Sequence, residues 1–203
     1  MKIIVDFDVI PDRYAKRAPI SLTRQGQPVV SFPFRVSAVP VSCRYLHWEL
    51  VDPDSIPVCG FQWIHWSLAN LPIAGLAGHG LVTPTSAGPD HGPAGNQETR
   101  EVSIPEDFSR RLEDLIPGVP QGRTSAASKF VMKGGAADDR SLLMRYNGPT
   151  PPDRTHDYVL RVWATPDPIA GLKEGFWLNA LEHGIHQASP APVQAEAWLP
   201  AQA

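Results

Sequence analysis

Two histidines, a tyrosine and an aspartate stand where a chemical site could form. The first group is Leu50-Val51-Asp52-Pro53-Asp54-Ser55-Ile56-Pro57, followed by Trp63-Ile64-His65-Trp66-Ser67-Leu68-Ala69-Asn70-Leu71-Pro72. Asp bonds to its own backbone, and Pro fixes φ and lacks an N–H, so the Asp-Pro-Asp run reads as a turn. The second part reads as a strand, on which alternate residues share a face. Ile64, Trp66 and Leu68 are expected to point into a core, and Trp63, His65, Ser67 and Ala69 the other way. An imidazole beside an indole, just behind that turn, has the makings of a polar pocket wall.

A second group answers the first: Tyr146-Asn147-Gly148-Pro149-Thr150-Pro151-Pro152-Asp153-Arg154-Thr155-His156-Asp157-Tyr158. A stiff Gly/Pro loop runs into a strand expected from His156 to Ala164, with His156 and Tyr158 on one face. Two imidazoles and a carboxylate are the equipment of acid–base chemistry. No Ser or Cys sits in a nucleophile signature such as G-x-S-x-G, Ser67 included, and there is no P-loop. Each residue also has a plain structural reading. His65 can be a satisfied side chain against Trp63, Asp52 can cap its own turn, and Pro149, Pro151 and Pro152 can be loop chemistry alone.

Taken in order, D-P-D-x-x-P, then W-x-H-W with N-x-P, then Y-x-G-P-x-P-P-x-x-x-H-x-Y resembles the phosphatidylethanolamine-binding proteins, most nearly their bacterial, Raf-kinase-inhibitor-like branch. The resemblance spans Val41 to Ala164, with a weaker echo to Ala197. It implies a pocket for phosphate or another small anion, lined by Asp52, Trp63, His65, Gly148, Thr150, Pro151, Pro152, His156 and Tyr158. The chemistry is reasonable. Imidazoles donate from ring nitrogens and become cationic near a pKa of about 6.5. The Tyr hydroxyl donates too, Gly148 lets backbone approach, and prolines stiffen the rim. A carboxylate repels phosphate, so Asp52 is expected either to orient one histidine and keep it protonated or to meet the ammonium of an ethanolamine headgroup.

The resemblance therefore implies a non-enzymatic binding protein with no cofactor and no metal, a kinase-inhibitor-like regulator whose partner is a small anionic ligand such as a phosphorylated headgroup. It also implies a homodimer. A second reading is an interaction module docking a phosphorylated protein partner. A third is a hydrolase using His65 and His156. Three positions depart from the pattern. Asp157 stands where relatives have a basic residue, which lowers the positive potential at the mouth; Thr150 stands for a frequent Cys, and Thr124 for an expected Asn. His183 and His186 read as surface residues without a third metal ligand at a recognised spacing.

The elements that must hold these residues read as mainly β. A large antiparallel sheet is expected to pack on a smaller one with a few peripheral helices, in one domain over residues 1–203. The chain has 22 Pro and 16 Gly, which favour many turns and short strands. Its net charge of −3 leaves no electrostatic footprint for nucleic acid. No apolar run is long enough to span a bilayer, acidic residues interrupt the N-terminal apolar segment, and two cysteines make no disulfide framework. A reduced, cytoplasmic protein is the simplest expectation. Arg44 to Val51 alternates as a strand with one buried side, and Asp157 to Ala164 is apolar on both faces, as in a central strand. Residues 74–98 read as a long Gly/Pro-rich loop. Residues 104–116 read as an inserted helix capped by Ser103, and Phe176 to His183 as a second helix stopped by Gly184. Short strands are expected near Ile3–Val9, in Val29–Val41 and at Ala195–Leu199.

Overall fold

The computed structural model describes residues 1–85, 98–131, 139–189 and 191–203. In chain order the strands are β1 (Lys2–Ile4), β2 (Thr23–Arg24), β3 (Gln27–Pro28), β4 (Phe34–Pro40), β5 (Tyr45–Asp52), β6 (Trp63–Pro72), β7 (Val82–Thr85), β8 (Thr99–Ile104), β9 (His156–Thr165) and β10 (Val193–Ala201). The helices are α1 (Ile56–Cys59), α2 (Ile73–Ala77), α3 (Phe108–Leu115), α4 (Arg140–Leu143) and α5 (Leu178–Ala188). Two four-stranded antiparallel sheets run β1-β4-β8-β7 and β10-β9-β5-β6, and β2 pairs with β3 as a separate ribbon. The expected difference in sheet size lies in strand length: β5, β6, β9 and β10 are 8, 10, 10 and 9 residues long.

The main core lies between the two sheets. Leu46, Trp48 and Leu50 of β5 and Tyr158, Leu160 and Val162 of β9 face Phe34, Val36, Val102 and Ile104 of the other sheet. Edge-on aromatic contacts lock this layer, with Trp48 4.9 Å from Trp66 and 5.6 Å from Phe34. Each such fully buried side chain contributes about 2–3 kcal/mol of burial free energy. The second face of the long sheet carries Val51, Ala69, Val159 and Trp163. It is covered by Ile169, Phe176 and the Leu178, Leu181 and Ile185 stripe of α5. β9 is thus covered on both sides, as its apolar run required, and so is β5, which was expected to have one buried side: His47 and Glu49 are buried as fully as Leu46, Trp48 and Leu50.

Four more expectations about elements change. The helix begins at Phe108, because Ser103 and Ile104 continue the alternation of β8, where Val102 and Ile104 are buried. α5 runs through Gly184, where a Cβ would sit 2.2 Å from Ile169 Cγ2; that glycine permits close packing and does not stop the helix. The 74–98 stretch carries α2 and β7, and its residues 86–97 lie outside the described ones, as do Gly134, Gly135 and Asp138. Finally, β6 does not alternate strictly. Leu50 pairs with Trp66 but Val51 pairs with Ile64, so His65 is the extra residue of a β-bulge.

Candidate functional site

The bulge decides the site. It turns Ile64 onto the second cluster under α5, against the expectation that it joins Trp66 and Leu68 in the main core. His65 comes round to the inner face and packs edge-on against Tyr158, ring centres 5.0 Å apart. Ser67, expected beside His65, is buried elsewhere, against Gly122 and Phe176. The pocket therefore opens on the inner face of the long sheet, at the end where β5 stops and β9 begins.

β5 stops for a local reason. Pro53 cannot extend the ladder, and Asp52 caps the tight turn that follows: its Oδ1 accepts from Ser55 N at 3.0 Å. Ser55 Oγ lies 2.6 Å from Asp52 O and accepts from Trp63 N at 2.8 Å, which ties the turn to the start of β6. α1 ends at Gly60 with φ +88°, the left-handed conformation that lets the chain reverse. Phe61 then stacks on Trp63 at 6.0 Å. Opposite, the Gly/Pro loop is sewn to His65: Asn147 N donates to His65 O at 3.0 Å, and His65 Nδ1 donates to Asn147 O at 2.6 Å. Gly148 N donates to Pro28 O at 2.8 Å, and Lys16 Nζ reaches Pro151 O at 2.7 Å.

The cavity between these walls measures about 190 Å³. Seven of the expected residues line it: Asp52, Trp63, His65, Thr150, Pro152, His156 and Tyr158. Gly148 and Pro151 do not. A Cβ on Gly148 would lie 2.3 Å from Tyr14 O and 2.8 Å from Pro28 Cβ, so this glycine serves packing against the N-terminal segment. Ser55, Val58 and Cys59 complete the lining. Ser55 was legible as the third residue after a capping Asp. Val58 and Cys59 arrive only because α1 forms where a plain turn was expected.

The two imidazoles are not equivalent. His156 Nδ1 lies 2.8 Å from Asp52 Oδ2, and Nε2 lies 2.9 Å from Asp153 Oδ1. Burial works against its charge, but the hydrogen bonds that the ring donates to Asp52 and Asp153 outweigh it and hold His156 above its ordinary value. His65 goes the other way: burial lowers it to about 4, in spite of the Asn147 carbonyl and the Asp52 charge. At neutral pH His65 is a neutral ring with its proton on Nδ1, leaving Nε2 as an acceptor. Either imidazole could become cationic on the sequence reading, with Asp52 keeping one protonated; burial takes His65 out of that range and leaves His156. Burial, and then Asp52, push the Tyr158 hydroxyl upward, so it stays a donor. Asp157 is exposed, and its N–H donates to Asp54 Oδ2 at 3.0 Å. His183 and His186 are exposed on α5.

Residues 3–197 match the family described as phosphatidylethanolamine-binding protein. The chain belongs to that family. Among similar proteins is the uncharacterized protein YxkA of Bacillus subtilis (strain 168), 35% identical over 170 residues, which are 84% of this chain and 81% of YxkA. Two solved structures share the fold. Escherichia coli YbcL, described as a new member of the mammalian PEBP family, is 17% identical with a TM-score of 0.62 over 100% of this chain and 98% of its own. The Chlamydia trachomatis D/UW-3/CX PEBP homologue CT736 is 18% identical with a TM-score of 0.59 over 100% and 97%. The family's mainly β architecture is the one seen here, and among the described residues no helix is long and apolar enough to cross a membrane.

Proposed function

We propose that this PEBP-family chain binds a small phosphate ester or related anion of headgroup size. The observation that carries the reading is the paired His156. A buried imidazole, held above its ordinary value by Asp52 and Asp153, lines a cavity whose other polar lining includes the Tyr158 phenol and Thr150. Its two nitrogens already bond Asp52 and Asp153, so Tyr158 and Thr150 supply the hydroxyl donors for a phosphate oxygen, and the ring supplies positive charge at pH 6. The cavity of about 190 Å³ suits a headgroup and is too small for acyl chains as well. The family's description as phosphatidylethanolamine-binding supports the same ligand class. Binding is favoured over catalysis because Ser67 faces away, Ser55 is committed to the turn, and the Cys59 thiol donates to Phe61 O with no imidazole as its partner.

Calorimetric titration of inorganic phosphate and O-phosphoethanolamine at pH 6 tests the reading. Saturable binding that disappears in His156→Gln, with thermal stability recorded alongside, is the expected result. No heat with wild-type protein would retire it. Co-sedimentation with phosphatidylethanolamine vesicles separates a lipid-borne headgroup from a free one. A second reading, a docking site for a protein partner, is favoured by Ile56 and Val58, each about half exposed on α1 beside the mouth. Partner capture abolished by Ile56→Ser and unaffected by phosphate would support that alternative.

A further inference from the structure

A second cleft, of about 550 Å³, shares no lining residue with the pocket around His156. Three cations line it: Arg140 on α4, Arg145 just after α4, and Lys173. Glu174 holds the two arginines together. Its Oε1 accepts from Arg140 Nη2 at 2.9 Å and from Arg145 Nη1 at 2.5 Å, and its Oε2 accepts from Gln121 N at 2.8 Å. The two arginines differ in freedom. Arg145 has a side chain 16% exposed and also donates to Met144 O, so it is a fixed part of the wall. Arg140 is 62% exposed, and a pair at such a site is worth at most about 1 kcal/mol, so its guanidinium changes partner at little cost. Lys173 is exposed as well. Beside the cleft, Arg123 Nε donates to Gly175 O at 3.1 Å, and its guanidinium lies 5.7 Å from the ring centre of Trp177, an indole 41% exposed.

We propose that this cleft and the adjoining Arg123–Trp177 pair form a docking surface for an acidic peptide segment of a partner protein, with Arg140 and Lys173 as the exchangeable seats for its carboxylates. The charge argues for the partner. Arg123, Arg140, Arg145 and Lys173 outnumber Glu113 and Glu174 on this face, although the whole chain carries a net charge of −3. Guanidinium groups match carboxylates with two parallel hydrogen bonds, and Arg and Trp are the side chains that most often anchor protein interfaces. Glu113 and Glu174 interrupt the positive face. That disfavours the continuous charge of a nucleic-acid backbone and suits carboxylates spaced along a peptide. Trp177 stands outside the cleft, so it adds a contact that a small acid seated in the cleft does not use.

The test is titration, at low ionic strength, of a short Glu- and Gly-containing peptide with one central Leu, of its Gln counterpart and of citrate. The Glu peptide is expected to bind and to weaken as salt rises, and the Gln peptide to leave no signal. Arg140→Gln/Lys173→Gln should weaken the Glu peptide about tenfold, the scale of two exposed ion pairs. Arg13→Gln/Arg17→Gln removes the same charge elsewhere on the surface and should change it little. Trp177→Ala should weaken the peptide further, and His156→Gln should leave it unchanged, which separates this surface from the anion pocket. Thermal melts of each variant check the fold, and Lys173→Gln alone, at an exposed loop position, repeats the test with the smallest perturbation. No binding of the Glu peptide, or an equal loss in the Arg13/Arg17 control, overturns the assignment. Citrate binding as tightly as the peptide, with Trp177→Ala without effect, overturns the peptide partner in favour of a small polycarboxylate.

Discussion

Asp52→Asn separates the two tasks of Asp52 and tests the electrostatics of the site. The amide oxygen can still accept from Ser55 N, so the turn cap survives. The other arm, 2.8 Å from His156 Nδ1, becomes an N–H₂ group facing a ring N–H. At pH 6 the variant loses a hydrogen bond to a charged group, about 1.5–3 kcal/mol. The loss stays below the roughly 3–5 kcal/mol of a fully orphaned buried charge, because Asp153 still holds Nε2. The sign of the pH dependence follows from the raised His156 pKa. Stability from the pair is fully present below the unfolded value of about 6.5 and is lost as pH rises through the folded one. Once rising pH has taken that proton, the ring has one N–H for two carboxylates, and the penalty of the variant falls to about 1 kcal/mol. Urea denaturation followed by tryptophan fluorescence at pH 6 and pH 9 reads both numbers. Asp52→Ala should cost about 1 kcal/mol more than Asp52→Asn at each pH, the value of the cap. An Asp52→Asn penalty equal at the two pH values, or absent at pH 6, would refute the charged pair.

Two further outcomes follow from packing and burial. Gly148→Ala forces a methyl against the Tyr14 carbonyl and Pro28, contacts that cannot swing aside, and should cost about 2–3 kcal/mol. Differential scanning calorimetry should show Tm lower by roughly 5–10 °C. Glu49 is buried with Arg161 on its Oε1, and burial pushes it up to about 7 despite that guanidinium. A carboxyl raised on folding loses stability as pH rises, here by about 1.4 kcal/mol for each pH unit between 4.5 and about 7, up to roughly 3 kcal/mol. Denaturation curves of Glu49→Gln across pH 4.5–8 should lack that decline relative to wild type.

Much of the molecule was legible in sequence because burial leaves a period. The alternation of Leu46, Trp48 and Leu50 marked β5, and the unbroken apolar run of β9 marked a strand covered on both faces. The Asp-Pro-Asp turn and the Gly/Pro loop marked both walls of the pocket. What was not legible depends on partners distant in the chain. The bulge at His65 is a property of two strands, and no single-strand pattern contains it. Gly184 reads as a helix stop until Ile169 is packed against it. The inequality of the two histidines was equally hidden. His65 meets a backbone carbonyl from residue 147, and His156 meets Asp52 from the far side of the chain as well as its near neighbour Asp153.

A crystal structure of the protein grown with O-phosphoethanolamine tests the central claim most directly. The account predicts the phosphate in the cavity beside Tyr158 and His156, with Asp52 still on Nδ1. A ligand bound elsewhere, or an empty cavity at saturating ligand, would contradict it.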